Sequence, residues 1–168
     1  MLELIKSRRS VRHYTGRPVD DQAVQMILEA GRWAPSGLNH QPWRFSVVRD
    51  ADLKQAVAEL THYSRVVRQA DMLIAVFIHQ PSMYNPVKDY QAMGACLQNM
   101  LLMAHSLGLG AVWLGEILKN ADQVRQVLGL DEELELMAVL ALGWPQDRQY
   151  SPARKPLEEL LVPPKPAA

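Results

Sequence analysis

The seven residues Met72-Leu73-Ile74-Ala75-Val76-Phe77-Ile78 contain no polar side chain. The run is too short for a helix in this setting and lacks the alternation of a half-exposed strand. It predicts a central strand covered on both faces. Trp43 to Arg49 alternates and is rich in β-formers, so it predicts a second strand, with Ala111–Leu114 and Glu135–Leu142 as further short ones. Helical spacing appears elsewhere. Leu2–Ser7 predicts a short amphipathic helix, and Asp20 is a good N-cap for a helix carrying Val24, Ile27 and Leu28 on one face before Pro35. Residues 50–60 and 120–128 predict two more helices. The longest covers 88–107, with Met93, Leu97, Met100, Leu101, Ala104 and Leu107 on its apolar face, Asp89 as its cap, and Gly108 and Gly110 ending it. Helices and strands interleave without regular βαβ units, so periodicity alone gives a mixed α and β domain.

One domain covers residues 1–168; neither an internal repeat nor a dividing linker interrupts it. Six of the eleven prolines lie from Pro145 onward, and residues 161–168 read as an extended proline-rich tail. The 18 basic and 18 acidic side chains balance, which argues against a general nucleic-acid binder. Locally they do not balance: Lys6, Arg8, Arg9, Arg12 and Arg17 face only Glu3 near the start, a pattern suited to one anionic ligand. Cys96 stands alone, so neither an internal disulfide nor a cysteine zinc site can form, and a small buried helical residue is expected there. No stretch reads as a membrane span or a secretory signal, so a cytoplasmic location is the expectation.

Chemistry-bearing residues concentrate in a few segments. Arg8-Arg9-Ser10-Val11-Arg12 gathers guanidinium groups that pair with phosphate oxygens through parallel hydrogen bonds. Pro35-Ser36-Gly37-Leu38-Asn39-His40-Gln41-Pro42-Trp43 is a polar loop between prolines, carrying amides and a hydroxyl suited to a heteroaromatic ring edge. Gly108-Leu109-Gly110-Ala111-Val112-Trp113-Leu114-Gly115-Glu116 is not a dinucleotide fingerprint, because a helix precedes it and a strand follows. His13, His62, His79 and His105 lack the mutual spacing of metal ligands, His40 reads as surface or pocket rim, and no serine sits in a nucleophile elbow.

In this order and spacing the segments resemble the nitroreductase family of FMN-dependent oxidoreductases, and the resemblance runs from Ile5 to Leu160. It implies an α+β fold: a nitroreductase-like α/β/α sandwich with a mostly antiparallel central sheet flanked by helices, assembled as an intertwined homodimer with the long helix at the interface. It implies FMN as cofactor and NADH or NADPH as electron donor. By the same resemblance Arg8 and Ser10 hold the flavin phosphate with Arg9 close by, Arg12 meets the pyrimidine edge, and Arg154, with Lys155 second, returns to the phosphate. Pro35, Ser36, Gly37, Asn39 and more weakly Gln41 approach the flavin from the other protomer. The backbone near Leu114, Gly115 and Glu116 lies against the ring, one N–H bonding flavin N5, and no side chain acts as a catalytic acid or metal ligand. Two departures stand out. The chain has no room for the helical insert that shapes the pocket in larger members, and Gly37 stands where another serine often occurs.

The expected activity is hydride transfer from NAD(P)H through flavin N5 to an electron-poor small molecule, a nitroaromatic or quinone, by ping-pong use of one pocket. The alternatives are a flavin-using relative (dehalogenase, enoate reductase or flavin-fragmenting synthase) and a non-catalytic flavin sensor or storage protein. Neither nucleic acid nor membrane is expected as a partner.

Overall fold

The computed structural model describes residues 1–146 and 153–164. Its elements in chain order are α1 (Leu2–Ser7), α2 (Asp21–Arg32), β1 (Trp43–Val48), α3 (Ala51–Glu59), α4 (Ser64–Gln69), β2 (Met72–His79), α5 (Pro86–Ser106), β3 (Gly110–Leu114), α6 (Ala121–Val127) and β4 (Leu134–Gly143). The strands form one sheet in the order β1-β2-β4-β3, every pair antiparallel.

The apolar run at 72–78 sits at the centre of the sheet, and its alternating side chains divide between two cores. Met72, Ile74, Val76 and Ile78 pack with Val24 and Ile27 of α2 and with Met93, Leu97 and Met100 of α5. Leu73, Ala75 and Phe77 pack on the opposite face with Val57 of α3, Val67 of α4 and Val124 of α6. This is an α/β/α sandwich, and it explains why the strand is apolar at every position. A register shift between Val76 and Phe77, against Ala138 and Leu136, marks a bulge in β4. The bulge is why Leu136 and Val139 share one face while Ala138 and Leu140 share the other.

Helix starts follow their caps. The Asp20 carboxylate accepts from Ala23 N, and the Asp50 carboxylate accepts from Asp52 N and Leu53 N. At α5 the expectation of Asp89 as cap is corrected. Asn85 is the N-cap, its side chain accepting from Lys88 N, and Pro86 occupies the first turn, where its missing N–H costs nothing. Asp89 is fully buried inside the helix, and its Oδ2 reaches back to accept from Tyr84 N (2.9 Å) and Asn85 N (2.8 Å). Cys96 is fully buried, and burial pushes its thiol up to about 12. Of the tail, Leu157–Leu160 makes a short 3-10 turn and 161–164 carries no helix or strand; the expectation for 165–168 falls outside the described residues.

Candidate functional site

Helix α1 ends at Ser7, and Arg8 leaves it with an extended ψ of 134°. The chain then runs onto β3, where Ser10 forms a parallel bridge with Ala111 and Val11 N donates to Ala111 O (3.0 Å). Glycine at 110 permits this approach: a β-carbon there would stand 2.7 Å from Val11 Cβ. Beyond it, Tyr14 Oη lies 2.8 Å from Val11 O and 3.0 Å from Ala141 O, pinning the segment to the sheet.

This path gathers like charges. Burial, then the positive charges of Arg154 and Arg9, push the Arg8 guanidinium below its ordinary value. Its Nε is buried and has no hydrogen-bond partner among the described residues. Arg154 thus comes back toward Arg8 from the exposed segment 153–164, while Lys155 beside it faces solvent. Arg12 is exposed, with Nη1 3.4 Å from Ser10 O. Against this cluster stands His105, in the last turn of α5, with Nε2 2.8 Å from Ser7 Oγ. Sequence reading gave His105 no role, because its contact with residue 7 is invisible to any local pattern.

The loop after α2 is built from left-handed residues. Leu38, Asn39 and Gln41 have φ of 51°, 58° and 49°. Ser36 Oγ accepts from Gln41 N (3.0 Å), and Gln41 Nε2 donates to Asn39 O (3.2 Å), so two of the expected ligand groups hold the loop's own shape. Pro35, Ser36 and Gly37 line a cavity of about 260 Å³ with Lys88, Gln91, Ala92 and Ala95 of α5. Tyr84 covers Gly37, its ring edge-on to His40 at 5.5 Å and 5.3 Å from the Lys88 ammonium.

This loop and the arginine cluster do not meet within one chain. The loop touches α5 around residue 92 and the cluster touches it at His105, so the two lie roughly 20 Å apart along the helix at its ordinary rise per residue.

Gly115 follows β3 and is exposed; among the described residues a β-carbon there would meet only Trp113 Nε1, at 3.8 Å, so none of them fills its open side. Glu116 turns its side chain the other way. Oε2 accepts from Thr61 Oγ1 (2.8 Å) and His62 N (3.2 Å), while Oε1 pairs with Lys119 and lies 3.6 Å from His62 Nε2. Lys119 and Thr61 hold the carboxyl down to about 2 against the opposing effect of burial, with a smaller contribution from the His62 N–H. Only the Lys119 contact, three residues away, had a signal in the sequence.

A buried guanidinium N–H with no partner among the described residues, gathered with like charges near the start of β3, and a glycine with an open face just past the strand's other end together fit a ligand bearing a phosphate and a flat ring. FMN has both, and the residues present fit it. Among the described residues no group of His, Cys, Asp or Glu could hold a metal ion, and no helix is long and apolar enough to cross a membrane.

Comparison with known proteins agrees with this geometry. The model of the Nitroreductase family matches residues 5–64 and 60–144. An Archaeoglobus fulgidus protein named as an NADH dehydrogenase/NAD(P)H nitroreductase is 34% identical over 151 residues, covering 88% of this chain and 87% of its own. A crystal structure from Desulfovibrio desulfuricans, described as a nitroreductase in complex with FMN, superposes with a TM-score of 0.93 at 50% identity, over 98% of this chain and 97% of the other. The NADPH:FMN oxidoreductase of Vibrio harveyi, solved with NAD+, gives a TM-score of 0.88 at 26% identity, over 99% of this chain and 78% of its own.

Proposed function

Because this chain belongs to the nitroreductase family, we propose that it is an FMN-dependent oxidoreductase that draws electrons from NADH or NADPH and delivers them to an electron-poor small molecule. The convergence of Arg8, Arg9 and Arg154 around a buried Arg8 N–H that has no partner among the described residues supports the reading, since a bound anion would relieve the mutual repulsion of like charges gathered in one place. Bound FMN would supply hydride acceptance and donation at its ring N5.

The chain's own residues bind and orient. Arg8, with Arg9, Ser10 and Arg154, holds the phosphate; Arg12 lies two residues further on and faces solvent, free to meet the anionic edge of the ring. The Glu116 carboxylate, tied to Thr61, His62 and Lys119, holds the backbone after Gly115, where a peptide N–H would meet a ring laid on the glycine. No side chain is assigned as a proton donor. Donor and acceptor occupy the same face in turn, so initial-rate plots at several acceptor concentrations run parallel.

The roughly 20 Å between the arginine cluster and the Pro35–Gln41 loop favours a homodimer with sites at its interface. A second copy whose α5 runs antiparallel to the first brings one copy's loop, with Pro35, Ser36, Gly37, Asn39 and Gln41, to the other's cluster. Exposed apolar side chains are available for such a contact: Trp33 (74%), Val87 (67%), Leu157 (65%) and Val162 (91%).

An anaerobic absorbance titration tests the proposal. A bound-flavin spectrum on adding FMN, bleached by NADH or NADPH and restored by a nitroaromatic or quinone, is the expected result. Flavin that binds and never bleaches would point to a storage or sensing role, and no binding would remove the site assignment.

A further inference from the structure

We propose that His105 is a titratable member of the anion site, becoming an imidazolium when a phosphate-type dianion docks on Arg8, Arg9 and Arg154, so that cofactor binding takes up a proton. The inference rests on the reading of that cluster as the phosphate site. The geometry is prepared for the charged ring. An imidazolium must donate from Nε2, and its partner Ser7 Oγ, 2.8 Å away, can accept because Leu4 O, at 3.3 Å, is placed to take the hydroxyl's own hydrogen. His105 also lies in the last turn of α5, where the helix carbonyls favour a cation. Among the described residues, the groups that face it from outside that helix are Ser7, at the end of α1, and Arg8 and Arg9 just beyond it. Within α5, the residues from Met100 to Ser106 carry no other ionisable side chain.

Without an anion, burial and the charges of Arg8 and Arg9 push His105 below its ordinary value. The site therefore holds a hydrogen-bond path that suits a cation and a field that disfavours one. A dianion between the arginines reverses that field. The imidazole then binds its proton more tightly in the complex than in the free protein. By linkage, affinity for the dianion rises as pH falls through the imidazole range. Ser7 is thereby locked against α5, which fixes the α1 end from which Arg8 departs. His105 acts through Ser7 and its charge as a positioning residue.

Sulfate is the cleanest probe, because its charge stays constant through the range where a phosphate monoester itself titrates, near about pH 6. The imidazole signal of His105, identified by its loss in His105→Gln, is followed by NMR with and without sulfate. Its midpoint is expected to move to higher pH with sulfate, and an unmoved midpoint overturns the proposal. In parallel, sulfate affinity measured by competition with FMN fluorescence is expected to be about threefold or more higher near pH 5.5 than near pH 8. The ratio should fall to about one in His105→Gln and in Ser7→Ala it should shrink. Riboflavin, which lacks the phosphate, should bind with no pH dependence attributable to His105; an equal dependence for riboflavin also overturns the proposal. If FMN fails to bind while sulfate still shifts the His105 midpoint, the flavin reading fails and the coupled anion site stands.

Discussion

At Gly37 the missing side chain is filled by Tyr84: a β-carbon there would stand 2.6 Å from Tyr84 Cζ. The backbone at 37 is not left-handed, so a serine there is not forbidden conformationally. What it requires is that Tyr84 swing away from His40 and Lys88, and because that ring is partly exposed the cost is small, about 1 kcal/mol. We predict that Gly37→Ser loses about that much stability in urea melts and that adding Tyr84→Ala restores it. Arg12 makes a different kind of prediction. Arg12→Ala should leave the fold intact, weaken FMN binding about tenfold, and make the bound flavin harder to reduce, because a cation near the ring edge favours its reduced anion. Unchanged affinity and potential would remove Arg12 from the site. Glu116 predicts a pH effect with a definite sign. Its folded carboxyl is held at about 2 against an ordinary 4.5. Its contribution to stability is therefore complete above about 4.5 and lost as pH falls toward about 2. In Glu116→Gln, that part of the acid-destabilisation curve should flatten.

Helix α5 is the element on which the site is laid out, since its first half carries the loop and its last turn faces the arginines. Asn85→Ala removes the side chain that accepts from Lys88 N, and a loss of about 1 kcal/mol in thermal or urea unfolding is expected. The sequence marked α5 because its apolar face persists for many turns. It misplaced the start because Asp89 looks like a cap, although Asn85-Pro86 is the stronger signature. Strand β2 was legible for the opposite reason: buried on both faces, it shows no period at all. Helix α4 was missed. Six residues with adjacent valines, Val66 and Val67, offer no helical spacing, and the helix exists because those valines are buried in the second core. The site divides in the same way. Arg8, Ser10 and the loop at 35–41 were legible as local clusters of chemistry. The Ser7–His105 contact, the Thr61–Glu116 bond and the Tyr84 ring over Gly37 join distant parts of the chain, so no local pattern announces them.

The whole molecule poses a question that no single residue can answer: whether a site is made by one chain or two. Within one chain the arginine cluster and the Pro35–Gln41 loop stand roughly 20 Å apart along α5. If each site takes its cluster from one copy and its loop from the other, two inactive proteins can rescue each other. Arg8→Glu disables the cluster, and Ser36→Glu places a carboxylate in the loop; each homodimer then has two dead sites. In a mixed dimer, one site draws an intact cluster from the Ser36→Glu copy and an intact loop from the Arg8→Glu copy, while the other site inherits both defects. Random assembly makes about half of the dimers mixed, with one live site in each, so co-expression should restore about a quarter of wild-type flavin sites and NAD(P)H oxidation. A site contained in a single chain allows no rescue, whatever the proportions mixed. Mixing the purified variants after assembly should recover activity only as fast as subunits exchange, and that lag separates repair across an interface from simple addition of two partial activities.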